Sequence, residues 1–299
     1  MFRLFLLYIC QWLWCLSSLL IKPRMLTYDK GFQREVRCRK IDSHKYESWK
    51  KEAFRIVSDY GCILSCELIE PPDNIAQDQE IKVAVLCHGL GMAKYESIKY
   101  AEIFIMLGFT VVMYDHRNHG KSDKCFTTMG YFEKYDLKKV IDWCYDRFGK
   151  KCKIITHGES MGAATVLLHL EIDKRVSCVI ADCAYSDLGV LLRHQLKEYY
   201  HLPRFLIPIE SSIAYIRAGF LFKEVSPIKI TSRTNTPILF IHGKRDNFVP
   251  TYMSKIMYTC KKKNKAIYLV SKAKHAESCC VNREGYQKRV EEFLSKYMK

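Results

Sequence analysis

Six short, predominantly apolar runs constrain this chain more than any other feature: 83–87, 110–114, 153–156, 176–180, 238–241 and 266–270. Unbroken apolarity, rather than alternation, is what a strand buried on both faces of a parallel sheet requires. Between the runs the period becomes helical. Leu137, Val140, Ile141, Cys144, Tyr145 and Phe148 share one helical face, and Tyr286, Val290, Phe293, Leu294 and Tyr297 share another. This alternation predicts an α/β fold with a mostly parallel, doubly wound sheet. Upstream, residues 54–58 and 62–69 alternate about the turn Asp59-Tyr60-Gly61, which predicts an N-terminal β-hairpin closed off by Pro71 and Pro72. One interval, about 188–236, has no buried strand and carries Pro203, Pro208 and Pro227; it reads as a helical lid inserted above the sheet. The expected organisation is a single domain over residues 52–299, preceded by a basic linker or amphipathic connecting helix over 22–51.

The sharpest chemical signal is Gly158-Glu159-Ser160-Met161-Gly162, which follows the run 153–156 and opens the apolar helix beginning at Ala163. A strand-to-helix turn this tight leaves no room for Cβ atoms at its flanks, and it lifts the serine hydroxyl clear of the sheet. A serine hydroxyl needs a base to become a nucleophile. His275, just past the last strand, is the expected base. Asp246, in the loop Gly243-Lys244-Arg245-Asp246 before Val249-Pro250, is the expected orienting acid, with Asp182 as its rival. The acid holds the imidazole in the right tautomer and stabilises the imidazolium.

An oxyanion hole needs two backbone donors aimed at the developing charge. The N–H of Met161, after the nucleophile, and that of Leu90, in His88-Gly89-Leu90-Gly91, are the expected pair; His88 is read as a brace for its loop. Two nucleotide-binding lookalikes fail. The third glycine of G-x-G-x-x-G falls on Lys94, and the first glycine of a P-loop ending at Gly120-Lys121-Ser122 falls on Asp115.

Composition narrows the partners. The formal net charge is +16, but the 48 Lys and Arg are scattered, without the clustering and aromatic interleaving of a nucleic-acid surface. Fourteen cysteines show no zinc-ligand spacing, so neither metal nor cofactor is expected; many lie in apolar runs, where they read as small hydrophobes in a reducing environment. Residues 4–21 are apolar except for Gln11, Ser17 and Ser18, and just reach spanning length. Residues 1–21 are therefore expected to be an N-terminal membrane anchor. Lys22, Arg24, Lys30, Arg34, Arg37, Arg39 and Lys40 outnumber Arg3 on the other flank, which turns the catalytic domain toward the cytoplasm.

Taken together, His88-Gly89-Leu90-Gly91, residues 115–122, Gly158-Glu159-Ser160-Met161-Gly162, the Asp246 loop and His275 resemble the α/β-hydrolase superfamily. The nearest likeness is its serine aminopeptidase and monoacylglycerol-lipase-like branch of small bacterial hydrolases. Asn118 stands where D-x-R-G-x-G-x-S has glycine. The resemblance implies metal-free hydrolysis of a small acyl substrate, an ester or related bond, through an acyl-enzyme. The competing expectations are a peptidase, thioesterase or cofactor-free haloperoxidase using the same residues, and a non-catalytic membrane-associated binding protein on the same fold.

Overall fold

A computed structural model describes residues 2–72 and 80–298. Three helices come first: α1 (Phe2–Ile21), α2 (Tyr28–Arg37) and α3 (Ser43–Ser48). They lead into the hairpin β1 (Lys51–Val57) and β2 (Ile63–Ile69). The alternating body follows as β3 (Lys82–Cys87), α4 (Ile98–Met106), β4 (Thr110–Tyr114), α5 (Glu133–Phe148), β5 (Lys153–Glu159), α6 (Met161–His169) and β6 (Cys178–Asp182). Then come α7 (Leu188–Glu198), α8 (Leu206–Ala218) and α9 (Pro227–Thr231), and the chain closes with β7 (Ile238–Gly243), α10 (Tyr252–Cys260), β8 (Lys265–Val270), α11 (Ser278–Val281) and α12 (Arg283–Tyr297).

All eight strands form one sheet in the order β1-β2-β4-β3-β5-β6-β7-β8. The hairpin pairs antiparallel within itself and with β4, and every other pairing is parallel. Strand alternation divides the core between two faces. Ala84 and Leu86 point to an apolar layer with Phe104 of α4 and Val290 of α12. Val83 and Val85 point to the other, with Val140 of α5 and Val166 of α6. Because both layers are buried, the strands read as unbroken apolar runs. The order reverses across β3, so the loops after β3 and β5 flank a crevice at the carboxyl edge, where ligands bind in open α/β sheets.

The stretch 22–51, expected as a linker or connecting helix, carries α2 and α3, and Tyr28, Phe32, Val36, Tyr46 and Trp49 pack on the core. The expected membrane anchor requires correction. Among the described residues no helix is long and apolar enough to cross a membrane. Instead α1 lies on α8. Ile21 is fully buried, and Leu13 and Leu20 pack into a third apolar cluster with Leu206, Ile207 and Ala214. The Arg217 guanidinium donates to the Trp14 carbonyl at 2.6 Å and to the hydroxyls of Ser17 and Ser18, and sits 4.2 Å from the Trp14 ring centroid. Leu13, Leu20 and Ile21 of α1 thus have protein partners, while Tyr8, Trp12, Trp14 and Leu19 are exposed; the inference of a cytoplasm-facing domain on a membrane anchor falls with the anchor.

The cysteine reading also changes at one point. Cys62, at the hairpin turn, is joined to Cys125 by a disulfide, while the other twelve cysteines are free thiols.

Candidate functional site

The Gly158–Gly162 turn is built by steric exclusion. A Cβ on Gly158 would stand 2.2 Å from the Gly162 carbonyl oxygen, and one on Gly162 would stand 2.1 Å from the Cys87 carbonyl oxygen. Neither contact is possible, so only glycine lets α6 rise this close to β3 and β5. Between them Ser160 adopts φ 55°, a left-handed conformation that costs a residue with a Cβ about 1–3 kcal/mol. The surrounding sheet holds it: Ser160 N–H donates to the Asp182 carbonyl at 2.9 Å.

Three side chains from three strand ends meet here. Ser160 Oγ lies 2.9 Å from His275 Nε2, and His275 Nδ1 lies 2.7 Å from Asp246 Oδ2. Asp246 is buried and over-supplied with donors. Its Oδ1 accepts the Val249 N–H at 2.9 Å, and its Oδ2 also meets His242 Nε2 at 3.1 Å. Burial works to raise its carboxyl, but the hydrogen bonds of His242 and His275 outweigh that and hold it down at about 2. Asp182 lies elsewhere. It is fully buried at the end of β6, with the Tyr100 hydroxyl 3.3 Å from Oδ2. Burial, with the charge of Glu159, pushes it up to about 6.

The loop after β3 sits directly against the serine, since a Cβ on Gly89 would come 3.6 Å from Ser160 Cβ. Met161 is the first residue of α6, where an N–H has no acceptor within its own helix. The Leu90 N–H makes no backbone hydrogen bond among the described residues. His88 braces this loop, with Nδ1 2.7 Å from the Gly89 carbonyl and Nε2 accepting the His116 N–H at 3.0 Å. Asn118 has φ 65°, and asparagine is among the few residues with a Cβ that enter this region readily.

Beneath the serine is an ionic cluster that sequence reasoning missed. Lys99 Nζ lies 2.6 Å from Glu159 Oε2, both fully buried, and the Tyr100 hydroxyl donates to the same oxygen. Glu96 Oε2 accepts the Gly89 N–H at 2.8 Å. Burial would raise the Glu159 carboxyl, but Lys99 overrides it and holds it ionised, while burial and then the Glu159 charge push Glu96 well up. A neutral Glu96 and an ionised Glu159 thus tie the loop after β3 to the residue preceding Ser160. The only hint in the sequence was Lys99, set between Ile98 and Tyr100 in a mostly apolar helix.

Cys183 was also missed. Its Sγ, an Asp246 oxygen and a His275 nitrogen lie within 4.8 Å of one another. Burial, then Asp182 and Glu159, push its thiol up, while Asp246 and His275 are already hydrogen-bonded to each other and to Ser160. That donor set is a poor cation site.

A mostly apolar cavity of about 130 Å³ is lined by Leu90, Phe248, Leu192, Ile207, Phe222 and, from α1, Leu20. The Phe248 ring lies 5.0 Å from the His275 ring at a tilt of 53°, which links the cavity lining to the site. A larger groove of about 590 Å³, lined by Lys22, Tyr28, Lys124 and Phe126, includes none of these site residues.

Comparison with known proteins agrees with this architecture. Residues 83–208 match the family model described as the alpha/beta hydrolase fold. The uncharacterized protein YqkD of Bacillus subtilis (strain 168) is 35% identical over 252 residues, covering 83% of this chain and 81% of YqkD. Among solved structures, the Pyrococcus furiosus esterase Pf2001 superposes with a TM-score of 0.69 at 24% identity, covering 85% of this chain and 94% of the esterase. An acylaminoacyl peptidase of Pyrococcus horikoshii gives 0.65 at 18% identity, over 86% of this chain and 43% of the peptidase. The two solved structures share this fold, and the chain belongs to the α/β-hydrolase superfamily.

Proposed function

We propose that this protein is a serine hydrolase that cleaves a carboxylic ester or a related acyl bond through an acyl-enzyme. The observation that carries the reading is the hydrogen-bonded chain from Ser160 Oγ through the His275 ring to Asp246, at 2.9 and 2.7 Å. Ser160 attacks the substrate carbonyl as His275 Nε2 takes its proton. Asp246, held ionised, fixes the ring so that Nε2 faces the serine and stabilises the imidazolium that forms. The N–H groups of Leu90 and Met161 receive the tetrahedral oxyanion. His275 then protonates the leaving group, and water, activated by the same ring, releases the acyl group. The helices α7 and α8 serve as a lid over the acyl pocket. At about 130 Å³ that pocket is far below the ~300–1,000 Å³ of ordinary ligand sites, which favours a short acyl group over a long lipid chain.

The test is labelling of wild type and Ser160→Ala with a fluorophosphonate probe, alongside hydrolysis of p-nitrophenyl esters of graded acyl length. Wild type should label and turn over short esters fastest. Ser160→Ala should lose labelling and at least about 10⁴-fold in kcat/KM. A folded wild type that neither labels nor turns over would overturn the reading.

A further inference from the structure

The small cavity lined by Leu90 and Phe248 is mostly apolar, its polar lining being Ser17, Gln195, Tyr200 and Glu210. Glu210, on α8, lines it and is only 4% exposed, yet its Oε1 has no hydrogen-bond partner among the described residues. A buried carboxyl without a partner costs free energy that a neutral side chain of the same shape would avoid. The neighbouring polar groups are engaged elsewhere. Ser17 Oγ donates to the Trp14 carbonyl at 2.9 Å, and Gln195 Nε2 donates to the Phe248 carbonyl at 3.2 Å. Arg217, two turns along α8, directs one guanidinium nitrogen to α1, at the Trp14 carbonyl and the hydroxyls of Ser17 and Ser18, while its Nε has no hydrogen-bond partner among the described residues. No ion pair within 4.0 Å forms between Arg217 and Glu210 among the described residues.

We propose that Glu210 is the specificity-determining residue of the acyl pocket, and that it accepts a hydrogen bond from an amino or hydroxyl group at the far end of a short acyl chain. The assignment rests on the serine-hydrolase reading above and names its substrate class: short acyl groups carrying a terminal donor. The geometry follows from the fold. Leu90, next to the Gly89 that lies against Ser160, and Phe248, beside the His275 ring, line the same cavity as Glu210 of α8. Burial pushes the Glu210 carboxyl up to about 7, with Arg217 only partly opposing. At neutral pH it therefore accepts from a hydroxyl in either form and from an ammonium in the ionised form, which the ammonium itself favours. A purely alkyl chain would leave the carboxyl buried and unanswered, and a site built to hydrogen-bond a substrate group discriminates strongly against the analogue lacking it.

The experiment compares p-nitrophenyl alkanoates with ω-hydroxy and ω-amino esters of matched length, using wild type, Glu210→Gln and Glu210→Leu. The readout is the ratio of kcat/KM for donor-bearing over plain chains within each variant, which cancels differences in active fraction. In wild type at least one donor series should exceed its plain counterpart by about 10–100-fold. Glu210→Leu should bring that ratio to or below unity. Glu210→Gln, which keeps a carbonyl acceptor but no charge, should retain the hydroxyl preference and lose the amino one, so the two donor types are told apart. Turnover of the acetate ester by wild type, abolished by Ser160→Ala, reports on the underlying hydrolase reading separately. An enzyme that passes the acetate control but shows equal ratios, or keeps its preference in Glu210→Leu, overturns the role of Glu210 alone.

Discussion

A carboxyl such as Glu210 leaves a thermodynamic trace whatever it binds. Its folded-state value is raised to about 7 from an ordinary 4.5, so between those two pH values the unfolded chain has lost a proton that the folded protein keeps. Stability therefore falls as pH rises through that window, by up to about 3 kcal/mol once both states are compared above pH 7. Glu210→Gln should remove this loss: denaturant midpoints of wild type and variant should run parallel below about pH 4.5, and the variant should gain on wild type as pH approaches 7. Parallel curves across the whole range would mean the carboxyl is solvated. Little of this was legible in the sequence. Glu210 lies in Pro208-Ile209-Glu210-Ser211 like any surface glutamate, and burial there depends on α1. Ser160, by contrast, stood out because its glycines are dictated by local sterics. Asp246 was preferred over Asp182 on its loop, Gly243-Lys244-Arg245-Asp246 before Val249-Pro250, whereas the approach of His275 to Asp246 depends on the three-dimensional path of the loop after β8.

At the scale of elements, α1 is the part that the sequence misdirects. Eighteen nearly apolar residues read the same whether they meet lipid or the apolar side of another helix, and the deciding partner, α8, lies about two hundred residues away. The strands were legible because burial on both faces is written locally as consecutive apolar residues. The contact between α1 and α8 gives a prediction of its own. Arg217→Ala deletes three hydrogen bonds and a cation–π contact at that seam. It should loosen the wall carrying Leu20, raising the acyl length preferred in the ester series and costing about 1–3 kcal/mol in stability. An unchanged chain-length profile in the variant would separate α1 from pocket shape.

For the molecule as a whole, the Cys62–Cys125 bond ties the tip of the hairpin to the loop after β4, with a sequence separation of 63 residues. Closing a loop of that size restricts the unfolded chain by about 4 kcal/mol in the chain-entropy account. Guanidinium unfolding with and without reductant, using Cys62→Ser as control, should show a loss of that order in wild type and none in the variant. No spacing rule could have singled out this pair among fourteen cysteines, since neither partner sits in a recognisable motif.

The docking of α1 onto α8 also sets an order of events during synthesis. The first helix leaves the ribosome long before its partner exists, and at about 5–20 residues per second the roughly two hundred residues between them take about 10–40 s to appear. Throughout that interval the most apolar segment of the chain has no docking site, and the pocket lacks a wall. A nascent chain stalled before residue 206 therefore carries α1 without its partner helix and has no finished pocket.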